Sequence, residues 1–287
     1  MKRVKGSTSY QQTKNRWNLI KFAILLVTGI TMIIPFLWMV SVSFEQDANV
    51  TIPFPPRLIP EQFSLLNYQI IFENVQLFRA YLNSSIVTFS SVILQVFTSL
   101  LAGYAFSKGE FKGKKVLFIL VLATMMIPIE ARLIPLYTMF NKIGMLNSYT
   151  PLIAPSILYG FGIFLCKQYF DQLPSQLREA AQIDGAGELS IFFKVYLPLT
   201  GPITATMCIL SFMNSWNELI WPLIALSDQN LQTIPLFLAG FSLDSGTRYA
   251  GLTMGLAALS ILPIIVAFLF LQRYIIQSIA LSGLKGE

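Results

Sequence analysis

Histidine is absent from this 287-residue chain, cysteine occurs twice, and only 12% of the residues are charged. Without an imidazole the commonest general base and metal ligand is missing. The two cysteines, Cys166 and Cys208, both lie in apolar runs, where the default is a small buried hydrophobe rather than a disulfide or a metal pair. No G-x-x-x-x-G-K-[ST] stretch occurs, and Gly109 to Lys115 does not fit that pattern, so the chain encodes no such phosphate-cradling loop for ATP hydrolysis. Charge is scarce too: a soluble domain carries about 25% charged residues. Here 54% of the residues are hydrophobic and the mean hydropathy is +0.63. Composition therefore describes an all-α integral membrane protein. No polar stretch is long enough to fold as a second, soluble domain, so a single transmembrane domain over residues 1–287 is expected.

Six apolar runs approach or exceed the roughly 20 residues needed to cross a bilayer. They cover residues 18–43, 82–107, 116–140, 152–170, 203–226 and 255–274. The first is too long for a signal-peptide core and ends without a small-residue cleavage site, so it reads as a retained span, with Pro35 as a kink. Residues 45–79 are polar, contain Pro53, Pro55, Pro56 and Pro60, and read as an external loop. Arg57, Arg79, Arg132, Lys142 and Arg248 fall on one side of such a six-span chain, leaving fifteen of the twenty Lys and Arg residues on the other. Positive residues concentrate in cytoplasmic segments, which predicts both termini inside. The net charge of +6 is then a topology signal and not a nucleic-acid signature.

Between the fourth and fifth runs lies a polar island, residues 174–198, cytoplasmic by the same count. It reads as two short amphipathic helices around a glycine corner. Pro174 and Ser175 suit a helix start, with the serine oxygen as cap. Leu177, Ala180 and Ala181 fall on one shallow face, and Gly185 supplies the backbone freedom of a helix end. Leu189, Phe192, Phe193 and Tyr196 at i, i+3, i+4 and i+7 make a bulky stripe suited to anchoring the second helix, which Pro198 closes.

In the fifth run Ser211, Asn214, Ser215 and Glu218 also stand at i, i+3, i+4 and i+7, with Trp216 and Asn217 beside them. A carboxylate within a span costs on the order of a few kcal/mol unless it faces a cavity or a partner, so this face is a candidate substrate pathway. Plainer readings exist for each member. Asn214 and Asn217 could hydrogen-bond between helices for about 0.6 kcal/mol, Glu218 could pair with a cation such as Arg132, and Trp216 with Trp221 could be an outer interfacial anchor.

The run Glu179-Ala180-Ala181, Asp184-Gly185-Ala186, Phe192, Leu197-Pro198 and Pro202 is similar to the EAA loop of the membrane subunits of ATP-driven importers. Trp216-Asn217-Glu218 with Trp221-Pro222-Leu223, Ile127-Pro128 with Ile134-Pro135-Leu136-Tyr137, and Thr233-Ile234-Pro235-Leu236 resemble the carbohydrate branch, in particular its MalG-like subunits. The resemblance implies the MetI-like fold of type I ABC importer permeases in a bacterial cell membrane, with no catalysis by this chain. It implies no cofactor here, ATP and Mg²⁺ belonging to a separate ATPase whose cleft receives the loop. The implied partners are a second permease subunit in a heterodimer, two ATPase subunits and an extracytoplasmic sugar-binding protein, with no nucleic acid. By position, Gly240, Asp244, Gly246 and Arg248 in the last external loop would probe the binding protein, and the tail from Ser282 to Glu287 would approach the ATPase. Three rivals remain open: the same architecture for another solute, an ion-driven transporter or channel, and a membrane enzyme using Glu130 and Glu218. Few fixed charges on the proposed pathway suit a neutral polyol, and neither carboxylate belongs to a catalytic pair motif.

Overall fold

The computed structural model describes residues 6–50, 55–73, 75–245 and 249–283. Among them the extended pairing is limited to an isolated antiparallel bridge between Glu45 and Phe63; nearly all the rest is helical. In chain order the α-helices are α1 (Gly6–Ser43), α2 (Leu66–Glu73), α3 (Val75–Lys108), α4 (Lys114–Met126), α5 (Ile129–Lys142), α6 (Thr150–Ile153) and α7 (Gly160–Asp171). After these come α8 (Gln176–Ile183), α9 (Glu188–Ile191), α10 (Gly201–Trp216), α11 (Ile220–Ala225), α12 (Ile234–Ser245) and α13 (Ala250–Gly283).

Among the described residues five helical stretches are long and apolar enough to span a membrane: Trp17–Ser43, Gln76–Lys108, Thr150–Asp171, Glu188–Trp216 and Ala250–Phe270. The pair α4 and α5, bent by 103° at its break, makes a sixth when counted as one broken span. The run 116–140 is thus not one straight helix. Pro128 stands at the break with ψ 148°, and Ile127 before it is extended, as the steric demand of a proline on its predecessor requires. The run 203–226 is also divided, because α10 ends at Trp216 and α11 begins at Ile220. Pro222 lies in the first turn of α11, where a missing N–H costs nothing; a continuous helix would have driven its ring against the carbonyl four residues back.

The chain divides by packing into two compact units, Met1–Glu73 with Phe241–Leu259, and Asn74–Gly240 with Ser260–Glu287. In the first, Leu19, Phe22, Leu25 and Ile33 of α1 are exposed, a disposition that suits hydrocarbon as solvent. Polar side chains tie the end of α1 to the segment leading into α2. Asn67 Nδ2 donates to the carbonyls of Ser43 (3.0 Å) and Glu45 (3.2 Å), and its Oδ1 accepts from Asn49 at 2.6 Å. The Glu45 carboxylate accepts from the N–H groups of Glu61 and Gln62.

In the second unit α3, α7 and α10 pack around a core of Val96, Leu100, Tyr104, Cys166, Phe170, Ile191, Phe192, Tyr196, Ile203 and Met207. Close approach depends on absent side chains. A Cβ on Gly162 would collide with Ser99 and Met207, and one on Gly103 with Cys166. Both cysteines are free, Cys166 buried and Cys208 half-buried. A second core joins Val87, Phe140, Leu152, Trp221, Ala225, Leu226 and Leu236.

Candidate coupling loop and membrane cavity

The segment 174–198 hangs from the ends of α3 and α7. Lys108 Nζ donates to the Leu173 carbonyl at 2.6 Å, while Ser107 Oγ and Lys167 Nζ both reach the Asp171 carboxylate, at 2.7 and 2.6 Å. Helix α8 then begins after Ser175, but the serine side chain makes no cap; its carbonyl instead accepts from the N–H groups of Arg178 and Glu179. At the other end Gly185 has φ +78°. Its N–H bonds the Gln182 carbonyl at 3.0 Å, and the Ala186 N–H bonds that of Ala181 at 2.9 Å. This paired closure is the Schellman motif, which needs the left-handed conformation that glycine adopts without a Cβ penalty. Ala181 and Ala186 pack against the core, whereas Glu179, Ala180 and Asp184 are exposed.

Glu188, the first residue of α9, gathers the donors around the corner. Its Oε1 accepts from Arg178 Nη2 at 2.6 Å and Nε at 3.1 Å and from Gln182 Nε2 at 3.0 Å, and its Oε2 accepts from Tyr104 Oη at 3.0 Å and from Arg178 Nε at 3.4 Å. Hydrogen bonding and charge from Glu188 raise the basicity of the Arg178 guanidinium further. Bidentate geometry of this kind fixes orientation as well as position. The angle between α8 and α9 is therefore set twice, by the glycine and by the ion pair.

Beyond Ile191 the backbone leaves the α-helical period. Phe192–Tyr196 is a π-helical turn and Leu197–Thr200 a 3₁₀ turn containing Pro198. The expected stripe of Leu189, Phe192, Phe193 and Tyr196 is split as a result. Phe192 and Tyr196 are buried against Tyr104, with ring centroids 5.3 and 5.2 Å away, and Tyr196 Oη donates to the Pro174 carbonyl at 3.0 Å. Leu189 and Phe193 remain 67% and 46% exposed, and Ile183 at the end of α8 is 87% exposed. Large apolar side chains thus stand outward from a corner whose polar groups are closed among themselves.

The fifth-run residues part company. Asn217 caps the end of α10, its side chain and its N–H both reaching the Met213 carbonyl. Glu218 lies past the helix, and its Oε1 accepts from the N–H of Trp221 at 3.1 Å. Ser211 is fully buried. Trp216 stacks on Phe212 and donates to the Ser260 carbonyl at 3.2 Å, and Trp221 donates to the Pro151 carbonyl at 2.8 Å. Both indoles are buried, so neither is an outer anchor. The single polar helical face expected over Ser211 to Glu218 does not form.

Asn214, Ser215 and Glu218 nevertheless line one cavity of about 800 Å³ together with Arg132 of α5, Tyr159 ahead of α7, and Ser91 and Gln95 of α3. Asn214 Nδ2 stands 3.5 Å from Tyr159 Oη. Among the described residues no ion pair joins Arg132 to Glu218; the pairs found are Arg57–Glu61, Lys167–Asp171 and Arg178–Glu188. The side-chain oxygens of Ser91, Gln95 and Thr233, all lining residues, are buried without a hydrogen-bond partner among the described residues, as are those of Thr88, Ser99 and Ser211. Sequence reasoning missed the contribution of α3. Its signal was present, since Ser84, Thr88, Ser91, Gln95 and Ser99 recur at spacings of three and four within an apolar run. Of the last-loop residues, Gly240 is half-buried. Gly246 and Arg248 lie outside the described residues, as do residues 284–287 of the tail.

Residues 95–281 match the family described as binding-protein-dependent transport system inner membrane component. The chain belongs to that family. It is 35% identical to an arabinooligosaccharides transport system permease protein, AraQ, of Halalkalibacterium halodurans over 260 residues, 88% of this chain and 91% of the relative. It is 33% identical to the trehalose/maltose transport system permease protein MalG of Thermococcus litoralis over 280 residues, 95% of this chain and 100% of the relative. A crystal structure of a bacterial ABC transporter involved in the import of the acidic polysaccharide alginate matches the fold with a TM-score of 0.81 at 23% identity, covering 92% of this chain and 98% of that one. The multi-pass permease fold and the transporting role follow from membership.

Proposed function

We propose that this chain forms half of the translocation pathway of an ATP-driven oligosaccharide importer in a bacterial cell membrane and is coupled to a separate ATPase through residues 174–198. The observation that carries the coupling is the corner around Gly185. Left-handed glycines close many ordinary helices, but a loop that only joined two spans would not need to hold Ile183, Leu189 and Phe193 outward beside a corner fixed by an ion pair. An external binding protein delivers the sugar, and a second permease subunit completes the pathway. Two ATPase subunits hold ATP and Mg²⁺ and drive the alternation between outward-open and inward-open states. Loop residues Glu179, Ala180, Ala181, Asp184, Gly185, Ala186, Phe192, Leu197 and Pro198 shape the docking element, and the cavity by Asn214, Ser215 and Glu218 is this chain's share of the path. With six spans, counting α4 and α5 as one, both termini and the loop lie in the cytoplasm. Residues around Gly240 and Asp244 then face the binding protein.

A neutral or weakly charged polyol is favoured over an ion because the cavity is lined mostly by apolar side chains, with amides, hydroxyls and a phenol among them and Arg132 and Glu218 as its charged members. The orientation is tested by thiol labelling in sealed cells. Cys166 is fully buried, so replacing Cys208 alone leaves a quiet background. Gln62→Cys should react with an impermeant reagent added outside, and Gly187→Cys should react only after permeabilisation. Outside labelling of Gly187→Cys would overturn both the topology and the docking. Uptake of arabino- and maltooligosaccharides by the reconstituted complex, abolished when ATP is withdrawn, tests the importer itself.

A further inference from the structure

We infer that the bond from the Tyr104 hydroxyl to the Glu188 carboxylate is the joint through which movement of the docked loop reaches α3, and through α3 the cavity, with Tyr104 acting as a positioning residue. This rests on the docking reading above. Glu188 belongs to the loop, and its Oε1 face is occupied by Arg178 and Gln182 of α8, so that oxygen holds the loop together. The other oxygen, Oε2, accepts from Tyr104, a residue of α3 eighty-four positions away in sequence. Arg178 Nε reaches this oxygen too, at 3.4 Å, so one carboxylate ties the corner internally and, through Oε2, also ties it to a spanning helix.

The helix so tied is the one that also walls the cavity. Ser91 and Gln95 line it, and Ser91 lies thirteen residues before Tyr104 on continuous α3, about 20 Å along the axis at about 1.5 Å per residue. A helix of that length carries a displacement at one end to the other, because its backbone hydrogen bonds resist compression, and no proline interrupts Val75–Lys108. The Tyr104 ring is gripped besides by Phe170, Phe192 and Tyr196, with centroids 5.8, 5.3 and 5.2 Å away. The ring therefore supplies the packing and the hydroxyl supplies the directional link. The docking surface on Ile183, Leu189 and Phe193 is a separate set of atoms.

Tyr104→Phe removes the link and keeps the ring. The experiment uses the complete complex in lipid nanodiscs with its binding protein, and arabino- and maltooligosaccharide mixtures as probes. It measures retention of the ATPase subunits, stimulated ATP hydrolysis and sugar imported per ATP in proteoliposomes. The expected result is full retention of ATPase subunits with about a tenfold fall in stimulated hydrolysis, equivalent to about 1.4 kcal/mol, and fewer sugars per ATP. Glu188→Gln should uncouple as well, and the Tyr104→Phe/Glu188→Gln double variant should be no worse than the poorer single one. Normal stimulation in Tyr104→Phe overturns the joint while leaving docking intact. Loss of ATPase subunits in step with activity overturns it too, since the hydroxyl would then only shape the docking surface. Additive losses in the double variant do the same. Failure of docking itself shows differently, as wild-type ATPase retention in Leu189→Asp.

Discussion

The loop around Gly185 and the cavity beside α10 treat polar groups in opposite ways. In the loop the donors and acceptors close on one another: Arg178, Gln182 and Tyr104 on Glu188, Tyr196 on Pro174, and Lys108 on Leu173. Around the cavity the oxygens of Ser91, Gln95 and Thr233 are buried with no partner among the described residues. A buried polar group left unpaired costs about 1–3 kcal/mol. Closure makes the loop one stiff piece. The oxygens of Ser91, Gln95 and Thr233 are closed off from the cavity itself, so the wall carries polar atoms that neither the protein network nor the cavity surface takes up. In the proposed transport cycle the two regions have different tasks, force entering at the loop and a solute being exchanged at the cavity.

The largest effect that tests this contrast is expected at Leu189, which stands outward from the closed corner. Burying a leucine side chain contributes about 1.5–3 kcal/mol, and an aspartate in its place adds the cost of desolvating a charge. Leu189→Asp should therefore lower ATPase recruitment by about a hundredfold, at about 1.4 kcal/mol per tenfold, while the spans remain folded because Leu189 touches none of the core. Co-purification of the ATPase with the tagged chain measures it. Undiminished recruitment would mean that the outward residues meet lipid or nothing.

Gly185→Ala should come next. Open space surrounds the position, with nothing within 4 Å of an added Cβ, so the cost is backbone strain alone. The left-handed region costs an ordinary residue about 1–2 kcal/mol, which predicts a loss of about five- to thirtyfold in recruitment if the closed corner is what the ATPase binds. An unchanged affinity titration would show that the corner is free to open, and the contrast between the two regions would fail at its stiff end.

Much of this corner was legible in the sequence because glycine and small residues carry local meaning. Gly185 between two short helices predicts a positive φ, and the backbone adopts it. Two other features were not legible for reasons of period. Reading Leu189, Phe192, Phe193 and Tyr196 as one stripe assumes 3.6 residues per turn, and the π-helical turn at Phe192–Tyr196 widens that, sending Phe192 and Tyr196 inward and leaving Leu189 and Phe193 outside. Reading Ser211 to Glu218 as one face assumes that α10 continues past Trp216. Pro222 was a hint that it does not. Proline is an ambiguous hint, however, since α1 and α13 run through Pro35 and Pro263. The polar stripe on α3 was legible but ambiguous too, because hydroxyls within an apolar run are so often explained by bonds to their own helix.

That stripe gives the smallest effect on stability and the most direct test of the cavity end. Gln95 lines the cavity from α3, and its carbonyl oxygen is buried with no hydrogen-bond partner among the described residues. Removing an unsatisfied acceptor and filling the same volume with hydrocarbon can be nearly neutral or stabilising, so Gln95→Leu should shift the thermal midpoint of the purified complex by no more than the equivalent of about 1 kcal/mol, in either direction. Were the amide part of a closed network like that on Glu188, the same change would strand its partners and cost about 1–3 kcal/mol. A thermal scan therefore decides whether the two regions differ as described. Uptake should move the other way. A solute hydroxyl that had bonded Gln95 now meets an apolar wall, so the transport KM should rise by severalfold while ATPase recruitment stays at the wild-type level. A variant that is clearly destabilised yet transports with unchanged KM would place Gln95 in the framework of the unit and remove α3 from the path of the sugar.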